Sequence, residues 1–197
     1  MKISPPQSIA IQIIHGLNLL SVTVMLLSGL QIYNANPVFG GRAGWHVPSI
    51  FLMGGWLAGG RDWHFAAMTV FALNLLAYGI YILFSRRWKI RFVSDRDLKA
   101  LTIGHNVQRQ KYAWHRIVYS AIVPILGFAI LSGIGMYKPA QYHWIINLFG
   151  NDWQILRVVH FMTVPVVLIF IPIHVFLVLR VGQKKLMESM FGILLMR

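Results

Sequence analysis

The sequence predicts an all-α membrane protein, a bundle of four transmembrane helices with both termini in the cytoplasm. Hydrophobic residues make up 57% of the 197 positions and charged residues only 12%, about half the charged share of an average soluble domain. A soluble chain of this size needs more polar residues to cover its surface. The length is that of one membrane-embedded domain, residues 1–197.

Four runs of the chain contain no Lys, Arg, Asp or Glu and reach the length of about 20 residues that a helix needs to cross a bilayer. They are Ser8–Asn36, Trp63–Ser85, Ile117–Tyr137 and Val158–Leu179. We expect helices over about residues 8–36, 63–85, 112–137 and 155–180.

The remaining apolar segments are too short to span. Met1–Gln7 is too short and too weakly charged to lead a cleaved signal peptide, so the first run is expected to be retained. The glycine-rich segment Val47–Gly60 is expected to be an external loop or short helix. The segment Leu186–Met196, interrupted by Glu188, is expected to lie on the inner membrane surface. We expect no internal repeat.

The distribution of basic residues predicts the topology. Of eighteen Lys and Arg residues, eight lie in the loop 86–111, and further ones lie in the C-terminal tail. Cytoplasmic loops carry an excess of Lys and Arg, so this loop and both termini are expected inside and segments 37–62 and 138–157 outside. The net charge of +13 therefore indicates membrane orientation, and no motif for nucleic-acid binding accompanies it.

Histidine is the residue type that can carry chemistry here. The chain has no cysteine, which excludes disulfides, iron–sulfur ligation and thiol catalysis. It has eight histidines against only five Asp and Glu residues. Ionisable residues inside membrane spans are costly and mark functional sites.

The histidines inside the spans form two pairs by depth. His160 and His174 share one face of the fourth helix, because fourteen residues at about 100° each end about 40° short of four turns. They are separated by about 21 Å along the axis. His64 lies at the outer depth and His15 at the inner depth, so we predict two stacked bis-histidine sites. Two haems with axial imidazoles would fit them.

Other interpretations remain open for these residues. A proton relay usually recruits Asp or Glu, which these spans lack, and a zinc site needs three or four ligands at one depth. His115 could replace His15 as the inner ligand, although its place beside Arg116 favours a polar interfacial role. Small residues leave room for a flat cofactor or serve helix packing; they are Gly16, Gly29, Gly127, Gly133 and Gly135.

Several stretches resemble a known family. The chain is similar to the four-helix dihaem b-type cytochrome subunits of bacterial respiratory oxidoreductases, above all thiosulfate reductase cytochrome b subunits, with those of nickel–iron hydrogenase and formate dehydrogenase as relatives. The matching stretches are LLSGLQIYNANPVFG at 26–40, GGWLAGGRDWHFAAM at 54–68, LSGIGMYKPAQ at 131–141 and VVHFM at 158–162. The resemblance implies an outer haem iron held by His64 with His160 and an inner one held by His15 with His174.

The resemblance also implies a quinone site beside the inner haem, just before the third helix. The candidate residues are His105, Asn106 and Gln108, although their spacing departs from the family pattern. A polar loop that caps the helix is the alternative.

A redox partner on the outer side is implied as well, a molybdopterin enzyme or another redox protein in the periplasm. The loops Pro37–Asp62 and Lys138–Leu156 are large enough to dock it. Arg42, Arg61 and Arg157 would pair with haem propionates or with the partner, or anchor the chain at the interface.

The resemblance thus predicts a subunit of the bacterial inner membrane that carries electrons between an outer redox partner and the quinone pool. Two alternatives remain: a haem-free membrane anchor for an oxidoreductase, and a stand-alone quinone-linked oxidase of a small oxidant such as superoxide.

Overall fold

The computed structural model describes residues 8–104 and 106–195, with side chains up to position 181 and at 190. Within these ranges the chain is helical and contains no strand. Two short 3-10 turns, at Gly41–Ala43 and Ser49–Phe51, lie between the first two helices. The helices are α1 (Ile9–Ala35), α2 (Leu57–Phe84), α3 (Trp88–Arg91), α4 (Asp95–Thr102), α5 (Val107–Tyr137), α6 (His143–Asn147) and α7 (Trp153–Leu195).

In the part of the chain that the structure describes, four helices are long and apolar enough to cross a membrane. They comprise α1, α2, α5 and the part of α7 between Trp153 and Val181. The prediction of a multi-pass helical membrane protein is therefore confirmed. Both α5 and α7 continue through prolines, at Pro124 in α5 and at Pro165 and Pro172 in α7.

The helices extend beyond the charge-free runs. Helix α2 begins at Leu57, so the end of the predicted external segment Val47–Gly60 is helical. Helix α5 begins at Val107, and α7 continues through the segment after Leu186. A charge-free run marks where a bilayer can be, whereas Gln, Lys, Arg and Glu are good helix formers and prolong a helix into water.

The chain forms two compact units. The His64–His160 unit comprises residues 16–77 and 129–164, and the His15–His174 unit comprises residues 8–15, 78–128 and 165–195.

In the His64–His160 unit, glycines bring the start of α2 against α1. A Cβ on Gly60 would lie 2.8 Å from Gln31 Cγ, so only glycine permits this approach. Gly54, at φ 110°, turns the chain into α2, and its neighbour Met53 donates its N–H to the Leu27 carbonyl at 3.2 Å. This packing places His64, two turns into α2, beside the middle of α1.

In the His15–His174 unit, polar side chains join the helices. The hydroxyls of Tyr78 on α2 and Tyr119 on α5 hydrogen-bond each other. The Gln108 amide donates to the Val181 carbonyl at 3.2 Å, which connects the start of α5 to α7. Hydrogen bonds between spanning helices stabilise such packing by about 0.6 kcal/mol on average.

Candidate functional site

The structure brings His64 of α2 and His160 of α7 together. Their ring centres lie 6.4 Å apart, and the ring planes are inclined by 79°. Both side chains are half-buried.

Helix α1 orients the His64 ring. Its Nδ1 lies 3.1 Å from the Met25 carbonyl and 3.3 Å from Ser28 Oγ. The Ser28 hydroxyl donates to the Val24 carbonyl at 2.6 Å. Since a carbonyl only accepts, Nδ1 must carry the proton, and Nε2 keeps its lone pair for a metal or a donor.

Helix α5 orients the His160 ring in the same way. Its Nδ1 lies 2.9 Å from Ser132 Oγ. The Ser132 hydroxyl donates to the Ala129 carbonyl at 3.2 Å. Because the hydroxyl proton is used in this way, the serine oxygen accepts from the ring, and this imidazole also carries its proton on Nδ1.

Two of the five glycines singled out in the sequence lie directly against these rings. A Cβ on Gly29 would lie 3.2 Å from His64 Cε1, and a Cβ on Gly133 would lie 3.2 Å from His160 Cε1. Gly135 instead lets Ile145 approach, whereas a Cβ on Gly16 or Gly127 would meet no atom within 4 Å.

Three histidines meet in the other unit. The ring centres of His15 and His174 lie 6.4 Å apart, and those of His115 and His174 lie 5.9 Å apart. Phe170 stacks on His174 at 5.2 Å. The sequence favoured an interfacial role for His115, but its half-buried ring contacts the centre of this cluster.

The spacing of both predicted pairs fits a metal between two imidazoles. Two rings bound from opposite sides, with about 2.0 Å from each nitrogen to the metal, have centres about 6 Å apart. Within the described residues, no group of three or more His, Asp or Glu could hold a metal ion. This geometry disfavours a zinc site and suits haem iron, whose macrocycle supplies the other four ligands.

The residues predicted for a quinone site have structural contacts. Asn106 Oδ1 accepts the backbone N–H of Arg109 at 3.0 Å, which caps the start of α5 as the alternative interpretation expected. Gln108 bonds to α7 as described above. His105 lies outside the described residues.

The three arginines of the predicted outer loops differ in their surroundings. Arg42 lies exposed in a 3-10 turn. The Arg61 guanidinium lies over the Phe65 ring at 5.6 Å. Arg157 lies over Trp153 and donates to the Asn36 carbonyl, so it ties the end of α1 to α7.

The buried carboxylate of Asp97 was not predicted from the sequence. Its side chain is 0% exposed and pairs with Arg109 at 2.7 Å and Arg116 at 2.9 Å. Burial raises its pKa, but hydrogen bonds from Ser94 and the charges of Arg116 and Arg109 outweigh this and leave the pKa below its ordinary 3.8. The basic segment is therefore partly folded onto α5.

Membrane helices that present paired imidazoles are typical of b-type cytochromes, electron-transfer proteins whose haem lies within the bilayer. The chain belongs to one such family, the prokaryotic cytochrome b561 family, whose model matches residues 7–192. It is a membrane electron-transfer subunit of that class, and the family binds b-type haem.

The chain is also 30% identical to a protein of Azospira oryzae over 177 residues, which are 85% of this chain and 87% of that protein. The name of that relative, YedZ1, designates a protein-methionine-sulfoxide reductase subunit. No solved structure matches the chain.

Proposed function

We propose that the chain holds two b haems and carries electrons through them between a redox enzyme and the quinone pool. His64 with His160 would bind one iron, and His15 with His174 the other. The observation that carries this proposal is the equal 6.4 Å spacing of the two imidazole pairs. Haem iron, when bound, takes up and releases single electrons.

The protein's part is to present nitrogen lone pairs at fixed positions inside a bilayer. At the first pair, the Met25 carbonyl and the Ser132 hydroxyl oxygen accept the Nδ1 protons of His64 and His160 and leave both Nε2 atoms as ligands. A histidine ligand held in this way has a fixed tautomer and a more basic nitrogen. Both pairs include a residue of α7, fourteen positions apart, so one helix would serve both haems.

Orientation follows from charge. The segment 86–111 and both termini would face the cytoplasm of a bacterial inner membrane, because basic residues concentrate there. The His15–His174 pair would then be the inner one. We place the quinone beside it, near Asn106, Gln108 and His105.

The partner would meet the outer loops 36–56 and 138–152. The resemblance to respiratory cytochrome subunits supports a molybdopterin enzyme or a similar oxidoreductase as this partner, thiosulfate reductase being one case. The name of the Azospira oryzae relative supports a methionine-sulfoxide reductase in the same position. Both are redox enzymes that need an electron carrier.

The test is haem quantified per purified chain, with a dithionite-reduced minus oxidised spectrum. Two b haems per chain are expected in the wild type and none in His160→Ala/His174→Ala. The matched control is His46→Ala/His143→Ala, which removes two exposed histidines and should keep both haems. A single haem in the wild type contradicts the dihaem arrangement.

If the purified wild-type chain contains no haem after expression with an ample supply of haem, the haem-free anchor is favoured. Turnover of superoxide by the purified subunit without a partner would favour the stand-alone oxidase.

A further inference from the structure

The His64–His160 unit contains a short repeat that the sequence analysis did not detect, so the expectation of no internal repeat was wrong. Leu27–Tyr33 and Leu131–Tyr137 share the pattern Leu-Ser-Gly-x-x-x-Tyr, one in α1 and one in α5. Each histidine of the pair is followed by phenylalanine.

The contacts repeat with the sequence. Ser28 of α1 contacts His64, and Ser132 of α5 contacts His160.

The tyrosine of each repeat contacts the phenylalanine that follows the other repeat's histidine. Tyr33 of α1 stacks on Phe161 of α7 at 4.7 Å, and Tyr137 of α5 packs on Phe65 of α2 at 4.3 Å. The four helices of this unit are therefore joined in a closed cycle, in which the α1–α2 half repeats as the α5–α7 half.

We propose that Ser28 and Ser132 are equivalent positioning residues, which hold the two imidazoles with Nε2 directed at the bound iron, while Gly29 and Gly133 keep open the space that the rings occupy. This proposal rests on the proposed haem function. In each Ser-Gly pair the serine positions the ring and the glycine leaves room for it. Ser28 and Gly29 do this for His64, and Ser132 and Gly133 do it for His160.

The serines act as hydrogen-bond acceptors for the rings. The Ser28 hydroxyl proton is directed to Val24, and the Ser132 proton to Ala129, so each oxygen offers a lone pair to the neighbouring Nδ1–H. The Nδ1–H of His64 is shared between Ser28 Oγ and the Met25 carbonyl, and this carbonyl remains when Ser28 is replaced.

A stronger acceptor at Nδ1 makes Nε2 a better electron donor, which favours oxidised iron. We therefore expect Ser132→Ala to retain both haems and to raise the midpoint potential of one. Ser28→Ala should shift the same haem in the same direction by less, because its contact is 3.3 Å instead of 2.9 Å.

A buried serine without a ring contact provides the control. Ser21 lies on α1, is 4% exposed and donates to the Leu17 carbonyl at 2.7 Å. Ser21→Ala removes the same hydroxyl from the same helix and should leave both potentials unchanged. Equal shifts in Ser21→Ala and Ser132→Ala, or no shift in Ser132→Ala, would overturn the proposal.

Glycine variants test whether Gly29 and Gly133 keep open the space that the two rings occupy. A methyl group at Gly29 or Gly133 would lie 3.2 Å from a ring carbon, so Gly133→Ala should displace His160 and lower the haem content by one per chain. The control is Gly79→Ala in α2, where a Cβ meets no atom within 4 Å and Leu76, Ile80 and Leu83 around it are exposed. Full haem content in Gly29→Ala and Gly133→Ala would contradict this role.

A separate experiment tests in haem-free protein whether the serines position the two imidazoles. In full-length chain prepared free of haem and labelled with ¹⁵N-histidine, His64 and His160 should be protonated on Nδ1, and Ser132→Ala should move the Nδ1 signal of His160. Protonation on Nε2 would overturn the positioning role. A wild-type protein that never binds haem would instead end the proposed function and leave this experiment interpretable.

Discussion

The two histidine sites are held in different ways. At the His64–His160 site, each imidazole hydrogen-bonds to a helix that carries neither histidine, α1 for His64 and α5 for His160. At the His15–His174 site, His174 makes ring contacts with His15, His115 and Phe170. Hydrogen bonds fix a tautomer and a direction for His64 and His160, whereas ring packing fixes the position of His174 among its neighbours.

If both histidine pairs hold haem as proposed, the chain would contain two kinds of cofactor site. At the first, the imidazoles are oriented without a metal, so little reorganisation would be needed on binding. At the second, three imidazoles would be available where two are needed. Variants that break one site while sparing the other will show how far this comparison holds.

Loss of a ligand should have the largest effect. His160→Ala and His174→Ala should each lower the haem content from two to one per chain, because one imidazole alone holds the iron weakly inside a bilayer. The remaining haem should differ in spectrum and potential between the two variants. Haem quantification with redox titration of each variant tests this, with His143→Ala as the control.

If either substitution removes both haems, the sites are not independent and the comparison fails. If both variants keep the same haem, the pairing across α7 is wrong.

The next effect concerns the buried carboxylate near the second site. Asp97→Asn leaves Arg109 and Arg116 without their anion. Breaking a fully buried ion pair lowers the free energy of unfolding by about 3 kcal/mol, and we expect a smaller decrease here because Arg109 is partly exposed. Because Arg116 adjoins His115, the spectrum of the His15–His174 haem should change and that of the other should not.

The pH dependence of this effect has a definite sign. The folded pKa of Asp97 lies below its ordinary 3.8, so its stabilisation is present above about pH 4 and is lost as pH falls through the folded pKa. The thermal-unfolding gap between wild type and Asp97→Asn should therefore close in acid. Asp95→Asn, at an exposed carboxylate of the same helix, is the control. A gap of constant size down to pH 3 would refute the assignment.

The sequence predicted the spans and the proximity of each histidine pair because both depend on quantities visible along one chain. Span length follows from apolar runs, and depth follows from the rise per residue. The rotation of one helix against another does not, so the sequence left open whether His15 or His115 lies beside His174, and the structure brings both to it.

Contacts that depend on a few scattered polar residues were also missed. Ser28 and Ser132 look like ordinary serines bonded to their own helix until their neighbours are known. The repeated Leu-Ser-Gly-x-x-x-Tyr pattern was the signal available, and its four fixed residues were too few to stand out. Asp97 lies among basic residues, a pattern that usually indicates a solvated loop.

The smallest effect is expected at His115, and it bears directly on the choice left open at the second site. If His15 and His174 are the ligands, His115→Ala should keep two haems per chain and shift the potential of one of them slightly, since a polar ring 5.9 Å from His174 is lost. His15→Ala should lower the haem content to one. The opposite result, one haem in His115→Ala and two in His15→Ala, would make α5 the source of the second ligand. At the level of His174, α7 would then pair with α5 instead of α1, and the His64–His160 site would be unaffected.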